Sequence, residues 1–175
     1  MKVKSLGIYL LVCLIGLPGI SFAKASKEAV KKTEEFNKKI KSLADAGDLQ
    51  KSIETAEEAL AFSVKEFGDK SLETAHALNN VANLYMFSGN PANAERLYKE
   101  SILILTNKKD KEGLEAADYY YNLGMAYAMQ KKYDEASKIL NQCLQIRAKE
   151  LGNKNAETQK VQKVLADVWE EQKKL

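Results

Sequence analysis

Side chains able to make or break covalent bonds are scarce in this chain. It holds one histidine, His76, and two cysteines, Cys13 and Cys143, among 175 residues. A Cys–His pair would support nucleophilic catalysis, which requires thiol and imidazole within hydrogen-bond reach. Cys143 and His76 lie in separate segments 67 positions apart, and nothing in their spacing brings them together. No Cys/His cluster has the spacing of a transition-metal site, and no glycine-rich strand-to-helix turn would cradle a phosphate. Neither catalysis nor a cofactor is expected. The chain concentrates carboxamides instead: Asn79, Asn80 and Asn83 fall within about one helical turn. A carboxamide donates and accepts at once, so it can grip a peptide backbone whatever the side chain. The same groups can equally bond to a neighbouring helix and stiffen a stack. Asparagine is a mediocre helix former, and three in one turn weigh toward binding.

These residues are positioned by a repeat. The segment Leu78 to Tyr85 lies over Tyr120 to Tyr127 at a step of 42, and Asn80 then lies over Asn122. At the same step Ala94, Tyr98, Ser101 and Ile102 lie over Ala136, Leu140, Cys143 and Leu144, and Gly47 lies over Gly89. A double step carries Gly68, Glu73, Thr74, Ala82 and Tyr85 onto Gly152, Glu157, Thr158, Ala166 and Trp169. Each unit reads as two helices. Leu78, Val81, Ala82 and Tyr85 mark one amphipathic face, and Ala94, Leu97, Tyr98, Ser101, Ile102 and Leu105 mark a second. Between them, Gly89 ends one helix and Pro91 suits the first turn of the next. Ala82, Gly124 and Ala166 are the small residues at which paired helices would cross, with Tyr85, Tyr127 and Trp169 filling the gaps beside them. Cys143 takes the small buried position of Ser101 and reads as core.

The pattern of Leu, Gly or Ala, Tyr, Gly, bulky residue, Ala and Tyr resembles the tetratricopeptide repeat, whose usual unit is 34 residues. The longer unit, the linker Glu66 to Ala75 and the run Leu78-Asn79-Asn80-Val81-Ala82-Asn83-Leu84-Tyr85 are similar to the kinesin-light-chain type. The resemblance implies an all-α fold, a right-handed α-solenoid of three helix-turn-helix repeats (about 33–67, 71–108 and 113–150) with a C-terminal capping helix (about 156–173). The first unit is degenerate: Ser52 and Ala56 stand where Ala and an aromatic are usual, and Lys39 stands at an apolar position. The last helix lacks a second helix, and Glu170, Glu171, Lys173 and Lys174 suit the polar outer face of a cap. A swap of that helix onto a neighbouring chain is the alternative.

The resemblance also implies that the first helices line a concave binding groove. The groove positions are then Glu34, Asn37 and Lys41; His76, Asn79, Asn80, Asn83 and Met86; Asp118, Tyr121, Asn122, Met125 and Met129; and Lys160, Lys163 and Asp167 from the cap. Met86, Met125, Met129 and Tyr121 form either a soft apolar floor or part of the core. The family's carboxylate clamp is disfavoured, since Asn37 and Lys41 stand in swapped order and Asp118 and Asn122 replace its two cations.

Residues 1–23 read as an address: Lys2 and Lys4, an apolar run from Leu6 to Leu17, then Pro18-Gly19 and small residues ending at Ala23. Cleavage would follow Ala23 or Ala25. An uncleaved anchor is the alternative, though the run is shorter than the roughly 20 residues that span a bilayer. Leu10-Leu11-Val12-Cys13 has the aliphatic lead of a lipobox but lacks the small residue before the cysteine. Residues 24–175 would form the repeat domain.

Composition bounds the partners. Apolar residues are 45% and charged residues 29% of the chain, and the net charge is +3. Loss of residues 1–23 leaves 25 cations against 24 acids, too balanced for a dedicated nucleic-acid binder. The basic loop at Lys108, Lys109 and Lys111 reads as a polar linker. One remaining cysteine permits no internal disulfide, and residues 24–175 contain no Asn-X-Ser/Thr triplet. The expectation is an exported bacterial module, periplasmic or at the cell surface, that binds another protein or peptide and no small-molecule substrate or nucleic acid. A structural subunit of an envelope assembly, docking through its convex face or cap, is the competing class; an enzyme is the third.

Overall fold

The computed structural model describes residues 27–107 and 113–175. The leader, Cys13, both cleavage sites and the basic loop at Lys108, Lys109 and Lys111 lie outside the described residues. Seven helices, and no strands, occur among the described residues: α1 (Lys27–Asp45), α2 (Leu49–Phe67), α3 (Leu72–Phe87), α4 (Pro91–Thr106), α5 (Leu114–Met129), α6 (Tyr133–Leu151) and α7 (Ala156–Gln172). The first helix begins ahead of the position 33 read from the repeat pattern. None of these helices is long and apolar enough to cross a membrane.

Local chemistry sets the boundaries. Side chains of Asp48, Ser71, Asn90 and Asn155 accept from backbone amides of the first turns of α2, α3, α4 and α7, replacing partners those amides lack within a helix. Pro91 opens α4, where a missing N–H costs nothing. The turns inside the three pairs share one left-handed position, taken by Gly47 (φ 77°), Gly89 (φ 73°) and Lys131 (φ 59°). Glycine adopts that conformation freely; a lysine there is strained by about 1–2 kcal/mol. Neighbouring contacts hold the strained turn. Glu95 on α4 accepts from Lys132 Nζ at 2.8 Å and Gln130 Nε2 at 2.9 Å, and pairs with Lys99. Lys99 and Lys132 both lie over the Tyr127 ring.

Each helix packs on the next, and α3 also touches α5, so the chain stacks as an all-α solenoid. The core runs continuously from Ile53 in the first pair to Val168 in the last helix. Its crossings are made at small residues: Ala82, Ala94, Gly124, Ala126 and Ala136 are fully or nearly fully buried. At Gly124 the fit leaves no room for a methyl group, since a Cβ there would sit 2.6 Å from Leu140 Cγ. The cap departs from the expected pattern. Ala166 is exposed and Trp169 is 63% exposed, so they neither seat a crossing nor fill a gap. Among the described residues no helix covers that face. α7 instead packs on α6 in the same chain, burying Val161 and Val168, and Gln172 donates to Asp134 at 2.7 Å.

The degenerate first unit is held by other means. Ser52 is fully buried and its hydroxyl donates to the Ile40 carbonyl at 3.1 Å, tying α2 to α1. Lys39 points to solvent, leaving Ala29 as the one buried residue of α1, with Thr33, Phe36, Ile40 and Leu43 partly buried and the Phe36 ring 5.7 Å from Phe62.

Two substitutions test this packing. Gly124→Ala gains helix propensity but forces Leu140 to move, and is expected to cost about 1–2 kcal/mol net in urea denaturation. Hydrogen bonds from Lys132, Lys99 and Gln130 overcome the burial penalty and hold the Glu95 carboxyl at about 2, against an ordinary value of 4.5. That lowered value stabilises the fold above pH 4.5, and the contribution fades as pH falls toward 2. Glu95→Gln should therefore lower stability by about 2 kcal/mol at pH 7, with the difference shrinking steadily in unfolding curves taken below pH 4.5.

Candidate peptide-binding groove

The first helices of successive pairs are joined by side chains 43 residues apart. Asn80 Nδ2 donates to Asn37 Oδ1 at 3.4 Å, linking α3 to α1, and Asn122 Nδ2 donates to Asn79 Oδ1 at 3.3 Å, linking α5 to α3. His76 Nδ1 lies 2.7 Å from the Tyr119 hydroxyl and 3.2 Å from Glu115. The asparagines thus form a ladder across the first-helix face. Both rungs are long, and each uses one of the four hydrogen bonds a carboxamide can make. Stiffening the stack and presenting free amide groups are compatible here. Asn83 is held differently: its Oδ1 accepts from Tyr98 at 2.6 Å. Burial pushes the Tyr98 phenol above its usual range, so it stays a donor and leaves the Asn83 amide free to donate.

The three junctions between first helices differ. At the α1–α3 junction a cavity of about 180 Å³ opens among residues of α1, α2 and α3, including Asn37, Ile40, Ala56, Ser63, Glu73, His76 and Asn80. A broader trough of about 360 Å³ shares Asn37, Ile40 and Asn80 with it and continues past Lys41, Asn83 and Leu84 to Phe87, which is 83% exposed. The α3–α5 junction is closed over buried Leu105 and Tyr119. The α5–α7 junction is plugged by Arg147, which reaches from α6 with only 8% of its side chain exposed. Its guanidinium donates to Asp118 at 2.6 Å, to Glu157 Oε2 at 3.1 Å and to the Glu157 carbonyl at 3.0 Å. The Tyr121 ring lies beside that guanidinium at 5.5 Å and beside Lys160 at 5.2 Å.

Of the residues read from sequence, Asn37, Lys41, His76, Asn80 and Asn83 come together around the cavity and trough, whereas Asn79 and Asn122 sit one junction along. The apolar set divides. Met86 and Tyr121 pack against the core, while Met125 is half-buried and Met129 is 51% exposed. Asp118 is engaged by Arg147 instead of facing a ligand alone. Sequence reasoning missed Phe87, Leu84, Glu73 and Ser63. Phe87 lies one repeat before Met129 and was open to the same argument. Ser63 lies one and two repeats before Leu105 and Arg147, a loss of bulk visible once the register is applied to the second helices.

The reactive side chains are kept apart. Cys143 is fully buried, and burial pushes its thiol up to about 11, so little thiolate forms at neutral pH. No group of three or more His, Cys, Asp or Glu side chains is placed to hold a metal among the described residues. Arg147→Ala should unpair two partly exposed carboxylates, open a hole at the α5–α7 junction and lower stability by about 2–3 kcal/mol in thermal or urea unfolding.

The tetratricopeptide repeat profile matches residues 37–107, 73–149 and 115–175. No curated protein matches. Among solved structures, BtubC (BKLC) from P. vanneervenii is 23% identical with a TM-score of 0.71, covering 79% of this chain and 55% of its own. A putative kinesin light chain from Podospora anserina with nearly identical TPR-like repeats is 20% identical with a TM-score of 0.72, covering 79% of this chain and 65% of its own. A point-substituted form of that protein matches with the same values. The chain thus spans about 55–65% of the length of these structures. Repeats of this kind generally serve as non-catalytic scaffolds for protein–protein contact. Matched along nearly all of its described length, the chain belongs to the tetratricopeptide repeat family.

Proposed function

We propose that the first-helix face binds a peptide or protein segment, and that the protein is an exported, non-catalytic docking module. The observation that carries this reading is the carboxamide ladder beside an open trough: Asn80 and Asn83 keep amide valences unspent at its edge, and Phe87 and Leu84 supply apolar surface along it. A segment lying there would present its backbone to side-chain carboxamide donors and acceptors, with apolar contacts for its side chains. Because the ladder already fixes these groups, little ordering remains to be done on binding. The leader-like residues 1–23 support a periplasmic or cell-surface setting.

A second reading, an assembly subunit docking through the outer helices or cap, has exposed Leu103 and Trp169 in its favour. Affinity capture separates the two. With the protein as bait, Asn80→Ala combined with Asn122→Ala is expected to reduce the captured partner at least about tenfold, at roughly 1 kcal/mol per lost hydrogen bond. Capture untouched by that pair but abolished by Leu103→Ser with Trp169→Ser would favour the assembly subunit.

A further inference from the structure

The repeat supplies an internal template for what the first cavity lacks. At the α5–α7 junction Arg147 extends from a second helix, passes between two first helices and joins Asp118 to Glu157. Two repeats earlier, those three positions are Ser63, Glu34 and Glu73. Both acids are kept and the cation between them is lost. Neither Glu34 nor Glu73 has a hydrogen-bond or ion-pair partner among the described residues. The cavity stands where the arginine would have been.

Two further features mark this space as built for an occupant. Ser63 is only 1% exposed, lines the cavity and has no partner for its Oγ among the described residues. A buried hydroxyl left so is costly and calls for a ligand atom or water. The walls suit an aliphatic stem, with Ile40, Ala56, Ala59 and Ala77 forming the apolar part. Ala56 stands at the repeat position of Tyr98 and Leu140, so bulk is missing at two positions of one unit. The volume of about 180 Å³ equals roughly six waters, room enough for a long side chain.

We propose that the cavity among α1, α2 and α3 receives an arginine side chain from a partner protein's peptide segment, its guanidinium held by Glu73 as Arg147 is held by Glu157, with Glu34 an exposed carboxylate outside the cavity lining. The planar fork of donors matches a carboxylate with two parallel bonds, and Ser63 Oγ accepts a further N–H. The open Oδ1 of Asn80 adds an acceptor at the rim, because its Nδ2 is the atom committed to Asn37. The segment's backbone then continues into the trough toward Phe87. This assignment rests on the groove reading above and specifies the side chain that anchors the segment.

Nuclear magnetic resonance titration of the protein with acetyl-Ala-Arg-Ala-amide tests it, with the citrulline tripeptide as an uncharged isostere. The expected result is amide shifts at Ser63, Glu73 and His76 with the arginine peptide, and binding at least about tenfold weaker for citrulline. Glu73→Gln, on the exposed side of the cavity, should weaken the arginine peptide similarly without disturbing the fold. Ser63→Arg should fill the site from within, abolishing the shifts and raising the melting temperature. Equal binding of arginine and citrulline, absence of shifts at millimolar peptide, or shifts surviving Glu73→Gln would each overturn the assignment. A captured partner lost on Asn80→Ala with Asn122→Ala yet indifferent to Glu73→Gln and Ser63→Arg would also overturn it, while leaving the groove reading in place. Capture insensitive to all four substitutions would remove both.

Discussion

Close approach of two helix axes within each pair governs this molecule. Helices approach closely only where side chains are small, and here Ala82 and Ala94 in the second pair and Gly124 and Ala136 in the third are buried, with Gly124 set directly against Leu140. With the pair set, its outer faces take a fixed spacing, and the next pair can dock in only one way. The carboxamide rungs at 43-residue separation follow from that docking. They show that successive first helices present the same face to each other from α1 through α5.

A repeated backbone need not give a repeated surface. The three junctions share a geometry and differ in what fills them: a void beside Ser63, an aliphatic seal at Leu105, and an arginine plug at Arg147. The array therefore has direction. Its N-terminal junction is open, with Glu73 in the cavity and Lys41 along the trough, and its C-terminal junction is filled from within by a paired arginine. A buried cation costs several kcal/mol in desolvation unless it is paired, which is why Arg147 makes contacts to two carboxylates and a carbonyl.

The fold was largely legible in the sequence because spacing encodes it. A step of 42 that aligns Leu78–Tyr85 with Tyr120–Tyr127 constrains helix phase, turn and crossing at once. The cap was legible as a helix, but the fates of Ala166 and Trp169 were not, since repeat position specifies burial only when the covering helix exists. The candidate site was half legible. Asn37, Asn80 and Asn83 belong to first helices, where the family pattern directs attention. Ser63, Ala56 and Glu73 escaped because their meaning lies in what is missing. The features of the first unit that read as a decayed repeat, Ala56 among them, are the ones that hollow it out. Met86 and Met125 were ambiguous for a different reason: methionine suits a core gap and an exposed floor equally well.

Trp169 is the chain's single tryptophan, and it sits on the uncovered side of the terminal helix with Lys173 over its ring. Fluorescence excited selectively at tryptophan therefore reports on one end of the array alone. Its emission starts from a solvated indole and has little room to change when α1 to α4 melt. A repeat protein loses order in neighbouring blocks, not necessarily all at once. Circular dichroism, averaged over all seven helices, and fluorescence, confined to α7, thus watch different regions, and a gap between their midpoints would measure how strongly the two ends of the stack are coupled.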